Sequence, residues 1–164
     1  MKLARSRARH RGYALFEAMI SIFVVSVGFL GFAGTHMKAL GTSNASLMRS
    51  KAVEFAYQVS DRTRANAPGA LAGAYNVLTG TASNPGCMTS GCSASQMAQA
   101  DYAEWRSEIS TALPGGVGVV CLDATPEDGD GASPQCDGAG SALVVKIFWT
   151  EKAQAYRLVN TFRP

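Results

Sequence analysis

Residues 18–35 contain no charged side chain, and the run Ala18-Met19-Ile20-Ser21-Ile22-Phe23-Val24-Val25-Ser26-Val27-Gly28-Phe29-Leu30-Gly31-Phe32-Ala33 is almost wholly apolar. With Tyr13-Ala14-Leu15-Phe16 ahead of it, the stretch reaches about 20 residues, the length an α-helix needs to cross the hydrocarbon core of a bilayer. A chain of 164 residues with such a segment near one end has room for one modest domain besides. Five of the fifteen basic residues, Lys2, Arg5, Arg7, Arg9 and Arg11, precede the apolar run. That asymmetry predicts a single pass with the N-terminus in the cytoplasm and everything after about residue 35 exported. All four cysteines fall in the exported part, where disulfides form and persist.

A cleaved secretory signal has the same basic start and apolar centre. Two features argue against it: Glu17 stands in the early apolar run, and Ala33-Gly34-Thr35 is a weak cleavage site. A carboxylate costs about 2.5 kcal/mol at the centre of a span and less toward the interface, so Glu17 needs a positive partner. The span offers none, which leaves the amine of a newly made N-terminus or a group on another protein.

Arg11-Gly12-Tyr13-Ala14-Leu15-Phe16-Glu17 followed by an uninterrupted apolar helix resembles the class III signal of type IV prepilins. The resemblance implies that a prepilin peptidase cuts between Gly12 and Tyr13 on the cytoplasmic side and that Tyr13 becomes N-methylated. It also makes Glu17 the assembly charge, pairing with the terminal amine of a neighbouring subunit. Tyr13 stands where Phe is commoner and Phe16 where Ile is, and both keep an apolar ring at the interface.

Three further patches are similar to PilV-like minor pilins. They are Ser26-Val27-Gly28-Phe29-Leu30-Gly31-Phe32-Ala33-Gly34; Asp61-Arg62-Thr63-Arg64-Ala65-Asn66 with the tract from Gly69 to Asn76; and Asp101 to Trp105 followed by Leu113-Pro114-Gly115-Gly116. The family implies a low-abundance, non-catalytic subunit held in the inner membrane with its head in the periplasm. From there it would join the other minor pilins and the major pilin in the complex that primes pilus assembly. In the finished, extracellular pilus it would sit with the tip adhesin at or near the tip. A type II secretion pseudopilin shares the signal, helix and sheet; a membrane-anchored adhesin or DNA-uptake module is the alternative of a different class.

The expected fold class is α+β: a long N-terminal transmembrane helix whose C-terminal half packs on a small antiparallel sheet, the type IV pilin fold. The expected divisions are a leader at 1–12, a transmembrane or filament-core helix at 13–35, its periplasmic half at 36–66 and a head at 67–164. No proline interrupts 13–66, and Met48, Ala52, Phe55 and Val59 recur at helical spacing. A helix of about 50 residues would be on the order of 75 Å long. Gly28, Gly31, Gly34 and Gly41 should make its middle the softest part, each costing about 1 kcal/mol against alanine; they suit either bending or close helix packing. Ala67-Pro68-Gly69 should end the helix.

Residues 79–95 read as a loop. A second helix is predicted over 95–113, with Met97, Asp101 or Tyr102, Trp105, Ile109 and Leu113 at helical spacing and Pro114-Gly115-Gly116 as its stop. Strands follow at 117–122, at 143–149 with Val144, Lys146 and Phe148 on the alternate face, and at 156–162 after the turn Glu151-Lys152-Ala153-Gln154. Four cysteines allow three pairings. Cys87 with Cys92 and Cys121 with Cys136 are preferred because each closes a local loop, the second stabilising by about 3 kcal/mol on the chain-entropy argument.

Several chemistries find no support. Past His36 there is no histidine, which removes Ser-His-Asp, Cys-His and His-metal mechanisms from the exported part. The cysteine spacings do not suit zinc. Acidic residues at Asp123, Glu127, Asp128, Asp130 and Asp137 lack the spacing of a calcium loop and suit a solvated loop or a subunit contact instead. No phosphate-cradling glycine motif occurs, so no cofactor or metal is expected. Residues 13–164 carry ten basic and twelve acidic side chains, a net of −2, and no nucleic-acid partner is expected.

Overall fold

A computed structural model describes residues 11–164 except 77, 79–82 and 84, so most of the basic leader and part of the expected 79–95 loop lie outside the described residues. The elements run α1 (Arg11–Ala65), α2 (Ala67–Leu71), α3 (Cys87–Ser90), α4 (Ala94–Ala112), β1 (Val117–Leu122), β2 (Leu143–Glu151) and β3 (Gln154–Phe162). The layout is α+β, with a long apolar helix first and an antiparallel sheet last. Contacts divide the chain into two compact units, Met1–Asn44 and Ala45–Pro164.

In the first unit the described residues form one uninterrupted helical stretch, and their apolar side chains project all round it, Tyr13, Ile22, Phe29 and Leu30 among the most exposed. A helix that is greasy on every side suits lipid or the interior of an assembly. Over Tyr13–Ala65 it is long and apolar enough to cross a membrane. Three hydroxyls of the apolar stretch bond within the helix: Ser21 donates to the Glu17 carbonyl, Ser26 to that of Ile22 and Thr35 to that of Phe32, at 2.7–2.8 Å. Such back-bonding suits a segment with no water to bond to. No heavy atom approaches where a Cβ would stand at Gly28, Gly31 or Gly34.

The second unit has its core between helices and one face of the sheet. Strand order is β1-β2-β3, all antiparallel, with Val120 opposite Val145 and Ile147 opposite Leu158. That face contributes Val120, Val145, Ile147 and Trp149; against it pack Ala52, Ala56 and Val59 of α1 and Tyr102, Trp105 and Ile109 of α4. The helical stripe expected on α4 holds at Tyr102, Trp105, Ile109 and Leu113, but Met97 is exposed and Ala98 takes the buried place. Helix α4 begins at a capping box, with Ser93 accepting from the Gln96 N–H and Gln96 accepting from the Ser93 N–H.

Helix α1 ends where expected, but Ala67-Pro68-Gly69 is not merely a stop. Asn66 caps a new short helix, its side chain accepting from the Gly69 N–H, and Pro68 occupies the first turn, where its missing N–H has no helical partner to lose. Within the expected loop, Cys87–Ser90 makes one helical turn closed by the Cys87–Cys92 disulfide. The second disulfide joins Cys121 to Cys136.

The outer face of the sheet is covered as well. Val119, Cys121, Val144, Lys146 and Phe148 are all buried, and the segment between β1 and β2 lies over them: a Cβ at Gly131 would stand 3.5 Å from that of Phe148. The acidic loop is therefore a lid on the sheet and not a freely solvated connection.

Candidate functional site

Of the residues expected to carry function, Gly12 and Tyr13 lie in the first turn of α1, and Tyr13 is 82% exposed. Glu17 is exposed one turn further on and has no cationic partner among the described residues. All four cysteines are bonded in pairs. Cys121, Asp123 and Cys136 lie close enough together to suggest a metal site, but joined sulfurs offer no thiolate.

The patches singled out around 61–76 and 101–116 converge on one clamp between α1, α2 and α4. Asn66 Nδ2 donates to the Ala94 carbonyl at 2.8 Å and to the Tyr75 hydroxyl at 3.1 Å. Tyr75 in turn donates to Asp101 at 2.5 Å. Gly69 permits this: a Cβ there would stand 2.5 Å from Asn66 Nδ2 and 2.9 Å from the Ala94 oxygen. Arg62 reaches across to α4, pairing with Glu104 at 2.6 Å and Glu108 at 3.3 Å, and Gln58 donates to Glu108 at 2.7 Å. Glu104 is 63% exposed, so that pair contributes under about 1 kcal/mol. The indole of Trp105 donates to the Phe55 carbonyl of α1 at 2.8 Å. Its ring leaves no space for a side chain at Gly118, where a Cβ would approach it to 2.6 Å.

Burial and the bond to the Asp101 carboxylate push the Tyr75 phenol above its ordinary value near 10. A phenol held protonated by the fold stabilises it fully below about pH 10, and the contribution is lost as pH rises from there toward the raised value. Thermal melts of the full chain between about pH 9 and 11.5 should thus show a steeper alkaline decline in Tm than the same melts of Tyr75→Phe. Parallel curves would remove the phenol from the clamp's energetics.

A second network lies under the lid. Lys146, at the middle of β2, is wholly buried, and its ammonium meets Asp123 at 2.5 Å and Asp128 at 2.8 Å. It also donates to the backbone carbonyls of Asp128 at 3.1 Å and Pro134 at 2.8 Å. The bond from Lys146 and one from the Thr125 hydroxyl hold the Asp128 carboxyl below its ordinary value. A positive charge belonging to the chain thus stands among the oxygens that were weighed as calcium ligands, and Asp123 and Asp128 are spent on it.

Reading the sequence did not find this network. The signal was a lysine inside Leu143-Val144-Val145-Lys146-Ile147-Phe148-Trp149, followed on both sides by apolar residues, with surplus carboxylates only in the preceding loop. No family model matches the chain, and no curated protein or solved structure matches it either.

Proposed function

We propose that the protein is a minor pilin of the type IV pilus, a structural subunit of the complex that primes assembly and lies at or near the tip. The observation that carries this reading is the N-terminal arrangement: Arg11-Gly12-Tyr13, then Glu17, then an apolar helix with no further charge until past residue 35. The α+β layout, with one helix apolar enough to span a bilayer and a disulfide-bonded head, supports it.

In this reading a prepilin peptidase removes residues 1–12 and Tyr13 becomes the methylated N-terminus. The subunit waits in the inner membrane with its head in the periplasm until it is drawn into the filament. Glu17 then pairs with the terminal amine of a neighbouring pilin. In apolar surroundings such a pair attracts far more strongly than in water, and a subunit lacking its partner strands a charge, so the pairing sets the register of one helix against the next. The head serves as a contact surface for other minor pilins, the major pilin and the tip adhesin.

The test is the N-terminal mass of the protein isolated from membranes of cells with an active prepilin peptidase. A methylated chain starting at Tyr13 is the expected result. A chain retaining Met1 and the following arginines would overturn the proposal and leave a tethered domain in its place.

A further inference from the structure

Lys146 and Asp123 form the one ion pair among the described residues in which both side chains are fully buried. The 2.5 Å between Nζ and Oδ2 is shorter than the roughly 2.7–2.9 Å of a charge-assisted hydrogen bond. The approach is also off the direction of such a bond, leaving Oδ2 without a donor among the described residues. The hydrogens of Nζ are engaged elsewhere, by Asp128 Oδ1 at 2.8 Å and by the carbonyls of Asp128 and Pro134. Thr125 connects the two carboxylates: its N–H donates to Asp123 Oδ1 at 3.0 Å and its hydroxyl to Asp128 Oδ2 at 2.8 Å. A nucleophile, an acyl carbon, a donor for the acyl oxygen and a proton acceptor are thus held together under the lid.

We propose that Lys146 and Asp123 condense to an intramolecular isopeptide bond, with Asp128 carrying the proton. The ammonium gives one proton to Asp128, while the carbonyls of Asp128 and Pro134 hold the two remaining N–H groups. Asp128 passes that proton to Oδ2 of Asp123, and the freed lone pair attacks Cγ of the now neutral carboxyl. Charge gathers on Oδ1, where the Thr125 N–H meets it. The Cγ–Oδ2 bond breaks, and Oδ2 leaves as water with the proton relayed by Asp128 and one from the nitrogen. One C–N bond forms, one C–O bond breaks, one water is released and nothing is oxidised or reduced. Fixed geometry around the fully buried Lys146 and Asp123 side chains gives the pair the high effective concentration such a condensation needs. The product ties the lid to the middle strand of the sheet, independently of the Cys121–Cys136 disulfide.

The experiment is peptide mapping of the full-length protein. A glutamate-specific protease cuts after Glu108, Glu127 and Glu151, placing Asp123 in fragment 109–127 and Lys146 in fragment 128–151. After reduction of the disulfides the two fragments should stay joined, at a mass about 18 Da below their sum. Two separate fragments would overturn the proposal. So would a loss of water confined to one linear fragment, as cyclisation at Asp128-Gly129 would give. In Asp128→Ala the joined product should fall at least about tenfold, while the disulfide still links the fragments before reduction, which reports an intact lid. Undiminished joining in that variant would overturn the part given to Asp128.

Discussion

Measured against a chain in which Lys146 and Asp123 are still an ion pair, Lys146→Met should destabilise the protein by about 3–5 kcal/mol, because it leaves the carboxylate of Asp123 buried with its countercharge gone. Methionine keeps most of the apolar stem against Val119 and Val159, the residues opposite Lys146 on the two neighbouring strands, so volume is a minor part of the loss. The informative comparison is with Lys146→Met combined with Asp123→Leu. Removing both charges takes away the penalty of the stranded one, and the double variant should recover a large share of what the single variant loses. Urea denaturation of the full chain in detergent, followed by the fluorescence of its tryptophans, gives both numbers. A single variant within about 1 kcal/mol of the parent would mean that Asp123 has water or another cation beside it.

Trp105→Ala should cost a similar amount, about 3–5 kcal/mol, for a different reason. Here the loss is a large cavity in an apolar core. Trp105 is fully buried, lies 6.1 Å from the Tyr102 ring between centroids and is fitted to the bare backbone of Gly118. Its removal also leaves the Phe55 carbonyl of α1 without the indole donor. Trp105→Phe separates these contributions, since it restores most of the volume and none of the hydrogen bond; it should lie about 1–2 kcal/mol below the parent. Equal losses for the two variants would assign the whole effect to the bond.

These two residues show which parts of the molecule could be read without coordinates. Trp105 lay on a helical stripe, ahead of Leu113-Pro114-Gly115-Gly116, and periodicity and a strong stop fix such a helix from local information. Strand β1 was legible for the same reason, being a short apolar run after a turn. Lys146 was not. Period two assigns a lysine between valine and isoleucine to the solvent face, and only the lid, whose position no local pattern announces, makes that face an interior. Helix α2 was missed because Pro68 and Gly69 are breakers in mid-helix and helix-compatible at its start, and which applies depends on Asn66 reaching Ala94, far along the chain. Met97 and Ala98 differ in burial by a small rotation of α4, below the precision of a spacing argument.

Among the expected functional residues the contrast is of another kind. The patches at 61–76 and 101–116 prove to be the parts that hold α1, α2 and α4 together, so their residue types answer to packing and hydrogen bonding within one subunit. Glu17 makes no such bond to a described cation, and its chemistry looks outward.

The connection between β2 and β3 has a consequence for the order in which the head folds. Lys152 and Ala153 both sit at positive φ, at 48° and 64°, in a turn that glycine or asparagine would form more readily. Each non-glycine residue so placed costs about 1–2 kcal/mol, so this turn cannot seed the hairpin. Nine residue pairs follow it, with Trp149 stacked on Tyr156 close to the tip. Pairing must therefore start in the strands and be driven by their collapse onto the helices, closing the tip last. The C-terminal strand joins only when the rest of the head is there to receive it, a late step for a chain whose other end is made first.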